Sequence, residues 1–496
     1  MLKKLKKGIC ITLSAALAAS CLAGCGMKKS AAGEGELLFY VIGTEKGDTA
    51  AIIEQANAII KDKTGYSVKF EYLNTDNYDL TLSSGDSFDL IAAPDYMNYW
   101  QNAAKGAFAE ITDEDLKEYV PYYWENADKE KNVTKYKGTR YGIAHMSYYA
   151  PDRCIAARGD LMDKYGIKSL DNKEEIEKYL TAVAENETDM IPFDMPGGNS
   201  YLMLAMFASD WGWAPVGSLS YGEHVYFKVD DPEHKLFIAA EQPEMLEFIK
   251  TMKRWNDKGF FSKSIMSSKT QSVDSFKAGR SAFALVNSPA ECQTVYTDLQ
   301  ADERAKWDVR FFPRYEKQQQ MYNFTNGIVA VSAFSKNKEA ALKVVNEMYS
   351  NQEVYNLLHY GIKDKHYTLN DKNEITLLPE ADNAGVLNTC IDNDAYTYTS
   401  ELSFPGHEKL VEKLKGQRVY NPAVNCPVSD EGIREIKLAL TEIYSQYTAP
   451  LYYGIMTGTP EEELKKELSS LKAAGIDQYK EAVQSQLDEY MKSVAE

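Results

Sequence analysis

Residues 36–73 read ELLFYVIGTEKGDTAAIIEQANAIIKDKTGYSVKFEYL. Glu36 to Ile42 is a continuous apolar run, the pattern of a parallel strand buried on both faces. Gly43 to Asp48 is a polar turn. Ile52, Ile53, Ala56, Ile59 and Ile60 then recur at helical spacing, with Asp48 or Thr49 placed to cap the helix and Gly65 to end it. Val68, Phe70 and Tyr72 alternate as a second strand. Phe88 to Ala93, after Gly85, makes a third. The opening is therefore β-α-β-α-β and specifies an α/β lobe with a mostly parallel sheet.

Further along, Tyr136 to Ala144 reads as a hairpin, and Met146 to Tyr149 has no helical period, which suits a crossing between lobes. The spacing predicts helices over Asp160–Tyr165, Lys173–Val183, Tyr201–Ala208 and Met245–Lys258. An apolar strand, Ser281–Val286, follows Phe276-Lys277-Ala278-Gly279-Arg280. A strand over Gly327–Val331 and helices over Lys338–Tyr349 and Gln352–Tyr360 continue the α/β pattern. Near the end, Thr459-Pro460-Glu461-Glu462 combines an N-cap, a proline at the first helical position and a capping-box glutamate. Leu464, Leu468 and Leu471 form the stripe of that helix and Gly475 ends it. Asp477 can cap a second helix through Tyr479, Val483, Leu487 and Tyr490. These stripes read as scaffold.

The amino terminus carries an address. Lys3, Lys4, Lys6 and Lys7 precede an apolar run from Ile9 to Ala23, the layout of a secretory signal. Leu22-Ala23-Gly24-Cys25 resembles a bacterial lipobox, which implies that the Cys25 thiol is diacylated and the chain cut just before it. Residues 1–24 are then a signal peptide. The polar, small-residue segment up to Gly35 is a flexible tether, residues 25–35, reaching about 15–20 Å from the lipid. Loss of the signal removes four lysines and no acid, so the formal charge falls from −18 to −22. That balance disfavours nucleic acid as a partner. Hydrophobic residues at 44% mark a folded chain, and no later run reaches the ~18 apolar residues of a membrane helix. Its length calls for at least two lobes. Cys154, Cys292, Cys390 and Cys426 lack metal or redox spacing and read as buried free thiols ahead of one or two bridges.

Several segments resemble the extracellular solute-binding proteins of ABC importers, in the branch that includes sugar binders. They are the lipobox; Leu82 to Ile91 with Gly106-Ala107-Phe108-Ala109-Glu110; Tyr141-Gly142-Ile143-Ala144 with Arg158 to Ile167; Phe276 to Phe283; and Ser335 to Ala341. Their order over residues 22–345 makes the match specific. Tyr360 to Tyr367 and the tail from Cys426 to Tyr490 resemble one lipoprotein branch with an uncharacterised C-terminal domain. The resemblance implies a two-lobed α/β fold of the periplasmic-binding-protein type (type II), with hinge strands and a helical C-terminal extension. Lobe 1 is expected over 36–144 plus 287–332, and lobe 2 over 145–286 plus 333–496. It further implies a monomer, tethered to the outer face of the membrane, that closes around a small solute, a sugar above all, and hands it to permease subunits. No cofactor or metal is implied.

Candidate site residues follow from strand ends, where open α/β sheets bind ligands. In sugar-binding relatives the first such loop supplies an acid and a lysine, which Glu45 and Lys46 match; they are either ligand contacts or surface charges. Asp95 and Tyr96 follow the strand ending at Ala93, while Trp100 reads as core. His145 and Tyr148 lie at the expected crossing, where a relative would place an acid that this sequence lacks. Asn199 and Tyr201, after the flexible Pro196-Gly197-Gly198, are second-lobe candidates with Trp211 and Trp213, at least one of which reads as structural. Asn287 and Asn326 can each bond a hydroxyl or cap a turn.

Catalytic readings rank lower. Gly85-Asp86-Ser87-Phe88 precedes a strand, and no histidine and aspartate pair can be assigned to serve the serine. The histidines at 145, 224, 234, 359, 366 and 407 form no metal-binding motif. A pair of carboxylates placed for glycoside hydrolysis is open among 73 acids, and a peptide or polar-metabolite receptor is the alternative within the binding class.

Overall fold

The computed structural model describes residues 35–84, 87–147, 152–217, 224–317, 319–320, 324–387, 390–400 and 403–495. The signal, Cys25, the tether up to Glu34 and Tyr148 lie outside them. In chain order the strands used below are β1 (Glu36–Ile42), β2 (Ser67–Leu73), β3 (Leu90–Ala92), β4 (Ile143–Ala144), β5 (Cys154–Ala157), β6 (Ile191–Phe193), β7 (Ser281–Val286), β8 (Arg310–Pro313) and β9 (Ile328–Val331). The helices are α1 (Thr49–Thr64), α2 (Lys173–Asn186), α3 (Tyr201–Ala208), α4 (Pro243–Asp257), α5 (Pro289–Gln300), α6 (Lys338–Ser350), α7 (Gln352–Tyr360), α8 (Arg434–Ile443), α9 (Pro460–Ala473) and α10 (Ile476–Ala495).

Two α/β bodies result. In the first, the sheet runs β2-β1-β3-β9-β4. Leu37 to Val41 are buried on both faces of β1, as the unbroken apolar run requires. Ile52, Ala56 and Ile60 turn α1 onto that sheet, and Gly65, at φ 81°, closes the helix with its N–H on the Lys61 carbonyl. Asp48 stands at the cap position but does not cap; its carboxylate accepts from Lys365 Nζ at 2.6 Å and lies 2.9 Å from His366 Nε2.

The second body holds the sheet β8-β5-β7-β6 and, beside it, a small sheet containing Trp213–Ala214, Val225–Lys228 and Phe237–Ile238. The C-terminal helices belong to this body. Leu464, Leu471, Ile476, Tyr479, Val483 and Leu487 join one core with Tyr226, Phe248 and Tyr452, each fully buried side chain contributing about 1.5–3 kcal/mol. The capping box of Thr459 and Glu462 starts α9 as the sequence predicts.

The packing divides the chain differently from the expected boundaries at 287 and 333. β8 pairs with β5, Pro313 opposite Cys154, and α5 sends Cys292, Val295 and Leu299 into the core beneath β5 and β7. Residues 287–313 thus stay with the second body. β7 is buried along its whole length and needs a strand on each side, and β5 in turn takes β8 on its free edge. Conversely, α6 and α7 pack Ala341, Val345, Met348 and Leu358 against Leu37, Phe39 and Val41 in the first body. Their apolar stripes cover a sheet face that α1 alone leaves open. From Phe404 onward the chain is again in the second body. Cys154, Cys292, Cys390 and Cys426 are buried free thiols.

Candidate functional site

Strand direction brings one edge of each sheet to the crossings. β1, β2 and β3 are parallel, and β4 shares their direction because β9 pairs antiparallel with both β3 and β4. The segments after β1, β3 and β4, and the turn Phe324–Asn326 before β9, therefore collect at the carboxyl edge of the first sheet. In the second sheet β6 and β7 are parallel, and β5 begins and β8 ends beside the last residue of β7, with Cys154 opposite Val286 and Pro313 opposite Cys154. The crossings from 145 to 153 and from 314 to 324 thus join the carboxyl edge of one sheet to that of the other. The carboxyl edge is where open α/β sheets take ligands.

At the second body's edge lies a cavity of about 290 Å³, lined by Asn199, Gln271, Lys277, Asn287, Glu291 and Thr294 among others. Asn287 is held at both ends: its Oδ1 accepts from Arg153 Nη1 at 2.9 Å, and its N–H donates to Glu291 Oε2 at 2.6 Å. Ser288 caps α5 by accepting the Glu291 N–H, with Pro289 first in the helix. Asn199 ends the turn Gly197–Asn199, where an added Cβ on Gly197 would meet the carbonyls of Ile265 and Met266 at about 2.6 and 2.5 Å. The C-terminal region backs this turn. Tyr453 donates its hydroxyl to the Pro196 carbonyl at 2.8 Å, and the Tyr444 and Ser200 hydroxyls are 2.7 Å apart.

The first body's edge is built differently. Glu45 and Lys46 are exposed on the turn after β1, whose Lys46 N–H donates to Thr49 Oγ1. Asp95 accepts from Thr325 Oγ1 at 2.9 Å and from the Tyr96 N–H at 2.7 Å, leaving the Tyr96 ring 56% exposed. Asn326 is half-buried beside them. His145 departs from its reading as a ligand contact: it is fully buried, its N–H donates to the Gly327 carbonyl, and its Nδ1 faces Asp392 Oδ2 at 3.5 Å. Asp392 Oδ1 lies 3.2 Å from His359 Nε2. Desolvation alone would raise the Asp392 pKa, but its bonds to His145 and His359 outweigh it and hold the carboxyl well below the usual carboxylate range. Around this cluster Met146 donates its N–H to the Asp392 carbonyl, Asp394 returns a bond to Met146, and Ser147 Oγ donates to Asp394. The first crossing is thereby anchored to the segment that leads into the last one.

Trp213 is a correction. Only 1% exposed, it packs edge-on against Trp211 and Phe237 inside the second body and presents no ligand surface. Trp211 is partly covered by Phe207 and Trp213, Tyr201 is half-buried at the first residue of α3, and Trp100 is core as read. Gln271, Glu291 and Thr294 went unread, and Lys277 was read only within the segment Phe276 to Phe283. Only Glu291 had a local signal, the helix-start pattern Ser288-Pro289-Ala290-Glu291. Among the described residues no cluster of three His, Cys, Asp or Glu side chains could hold a metal, and no helix is long and apolar enough to cross a membrane.

Residues 45–355 match the family described as bacterial extracellular solute-binding protein. The chain belongs to this family. Residues 432–492 match a domain of unknown function (DUF3502). The solute-binding protein is 24% identical, over 99% of this chain and all of the relative, to a carbohydrate ABC transporter substrate-binding protein of Streptococcus pneumoniae serotype 4 (strain ATCC BAA-334 / TIGR4). Among solved structures it resembles the N-glycan transport solute binding protein (NgtS) of Streptococcus pneumoniae, with TM-score 0.75, 21% identity, and 92% of this chain and 99% of that one covered. For the complex of that protein with Man1GlcNAc the TM-score is 0.66 over the same shares. These likenesses confirm the solute-binding α/β fold, and proteins of the family work outside the cytoplasm.

Proposed function

We propose that the chain captures an oligosaccharide between the two carboxyl edges and delivers it to an ABC permease. The observation that carries this reading is the cavity lined by Asn199 and Asn287 at the edge of β6 and β7. Carboxamides donate and accept together, as vicinal sugar hydroxyls require. At about 290 Å³ the cavity is at the lower limit of small-molecule sites, so it holds part of the ligand. Asp95, Tyr96, Asn326, Glu45 and Lys46 of the first body cover the rest when the bodies close.

Closure follows from differential affinity: ligand that touches both edges only in the closed form shifts the population toward it. The higher likeness to NgtS free of a named ligand than to its Man1GlcNAc complex supports a shape that changes between the two. The domain of unknown function acts as backing for the ligand turn through Tyr444 and Tyr453. Diacylated Cys25 and the tether keep the receptor near its permease at raised effective concentration.

Calorimetry of the processed chain with Man1GlcNAc, maltose and tetraalanine tests the reading. Sugar binding with one cleft site is expected. Binding of tetraalanine alone would replace it with a peptide receptor, and appearance of cleaved sugar with a glycoside hydrolase. Cys25→Ser should release the protein from membranes and impair uptake while leaving affinity unchanged; membrane retention of that variant would remove the anchor from the reading.

A further inference from the structure

On the outer side of the first body, α7 and the hairpin of Tyr367–Leu369 and Ile375–Leu377 enclose with α1 a pocket of about 630 Å³. Its wall carries the carboxamides of Gln55, Gln352, Asn356 and Asn373 and the side chains of Tyr367 and Tyr398. None of the cleft candidates lines it. Gln55 is seven residues along α1 from Asp48 at the cleft edge, about 10 Å at 1.5 Å per residue.

We propose that this pocket is a second carbohydrate site, taking a neutral pyranose unit. Gln352 Nε2 and Asn356 Nδ2 both donate to the Tyr398 hydroxyl, at 3.3 and 2.9 Å, so the amides and the phenol already form one polar strip. The buried Asn356 Oδ1 has no hydrogen-bond partner among the described residues, an acceptor left over at the inner end of that strip. The Tyr398 ring packs on Tyr360 and Tyr367, with centroids 5.4 and 6.4 Å apart, giving an aromatic floor suited to the C–H face of a sugar. Glu353 and Lys363 are the charged members of the wall and balance each other. A carboxylate or phosphate ligand would need an excess of cations, and an apolar one would strand the carboxamides unbonded. Paired donors and acceptors over tyrosine rings fit a polyhydroxylated neutral ring. Tyr398 also stands at the start of the last crossing, so an occupant touches the segment that joins the bodies.

The test follows side-chain carboxamide signals of Gln55, Gln352 and Asn356 in the nitrogen-15-labelled processed chain during titration with Man1GlcNAc and with maltose. Saturable shifts are expected for at least one sugar, and the same shifts in an Asn199→Ala/Asn287→Ala chain whose cleft is impaired. Gln55→Leu/Gln352→Leu, at two exposed positions, should weaken the Asn356 response at least tenfold with no change in thermal midpoint. No shift with either sugar, loss of the shifts in the cleft variant, or their full retention in Gln55→Leu/Gln352→Leu would each overturn the second site. Tetraalanine acting in place of the sugars would overturn the ligand class. The cleft reading stands or falls separately, on the signals of Asn199 and Asn287.

Discussion

Each body sets a carboxyl group against imidazole, and the pKa values of the two carboxyls are pushed in opposite directions. In the first body Asp392 meets two imidazoles, His145 and His359, at 3.5 and 3.2 Å, and keeps its side chain 23% exposed. In the second, Glu467 is 1% exposed and, among the described residues, faces one imidazole, that of His224, at 3.9 Å. Burial pushes Glu467 up to about 7, with a bond from Thr448 Oγ1 opposing only in part, and pushes His224 down to about 4. Partner number and residual contact with water decide whether a covered carboxyl ionises. The Asp392 carboxyl at the anchored crossing is thus ionised, whereas the Glu467 carboxyl in the C-terminal packing keeps its proton up to about pH 7.

The largest expected effect attacks the neutral side of that contrast. A carboxyl with a raised folded pKa binds its proton more tightly when folded, so its penalty is absent below about 4.5, grows as pH rises, and is complete above about 7. Glu467→Gln should therefore stabilise the chain by about 3 kcal/mol at pH 8, the gain vanishing near pH 5, as read by denaturant unfolding. A pH-independent difference would mean that Glu467 is ionised throughout. On the charged side, Asp392→Asn should cost about 2 kcal/mol, less than the 3–5 of a wholly buried pair because water still reaches it. Since the Asp392 pKa is depressed, that contribution is present above about 4 and lost as pH falls. Equal stability of mutant and parent at neutral pH would cancel the anchoring role.

The bodies differ at their edges as well. The second holds a formed cavity, the first exposed loops. Asn199→Ala/Asn287→Ala should lower sugar affinity about tenfold or more in calorimetry, since each hydrogen bond contributes about 0.5–1.5 kcal/mol. Glu45→Ala/Lys46→Ala should change it less than threefold; the reverse ranking would move the primary contacts to the first body. Tyr453→Phe has the smallest expected effect. It should destabilise by about 1 kcal/mol through the lost bond to Pro196 and weaken affinity less than twofold in calorimetry.

Much of the fold was legible because local signals agreed. β1 and α3 run over the predicted bounds, the first from its unbroken apolar run and the second from an eight-residue apolar helix. α9 begins at its capping box. The lobe boundaries were not legible, because they turn on which sheet adopts β8 and which face α6 covers, and neither pairing leaves a mark within those segments. At the cavity, Asn199 and Asn287 carried local marks, the one following the turn-forming Pro196-Gly197-Gly198 and the other an apolar strand. His145 was misread because its partner Asp392 lies 247 residues away. Gln271 and Thr294 reach the cavity from stretches that carry no motif, and Lys277 from a family segment that does not mark it as a cavity residue.

The bond from Tyr453 to Pro196 spans 257 residues, which sets an order of events during biosynthesis. A chain made from its amino end exposes the Gly197–Asn199 turn long before its backing exists, and the first body likewise waits for α6 and α7. Contacts of this range close late and slowly. A nascent or truncated chain would therefore carry both sheets without a set ligand turn. That support would arrive only with the segment from Tyr444 to Tyr453, so loss of the chain from Tyr444 onward would loosen a cavity wall made about 250 residues earlier.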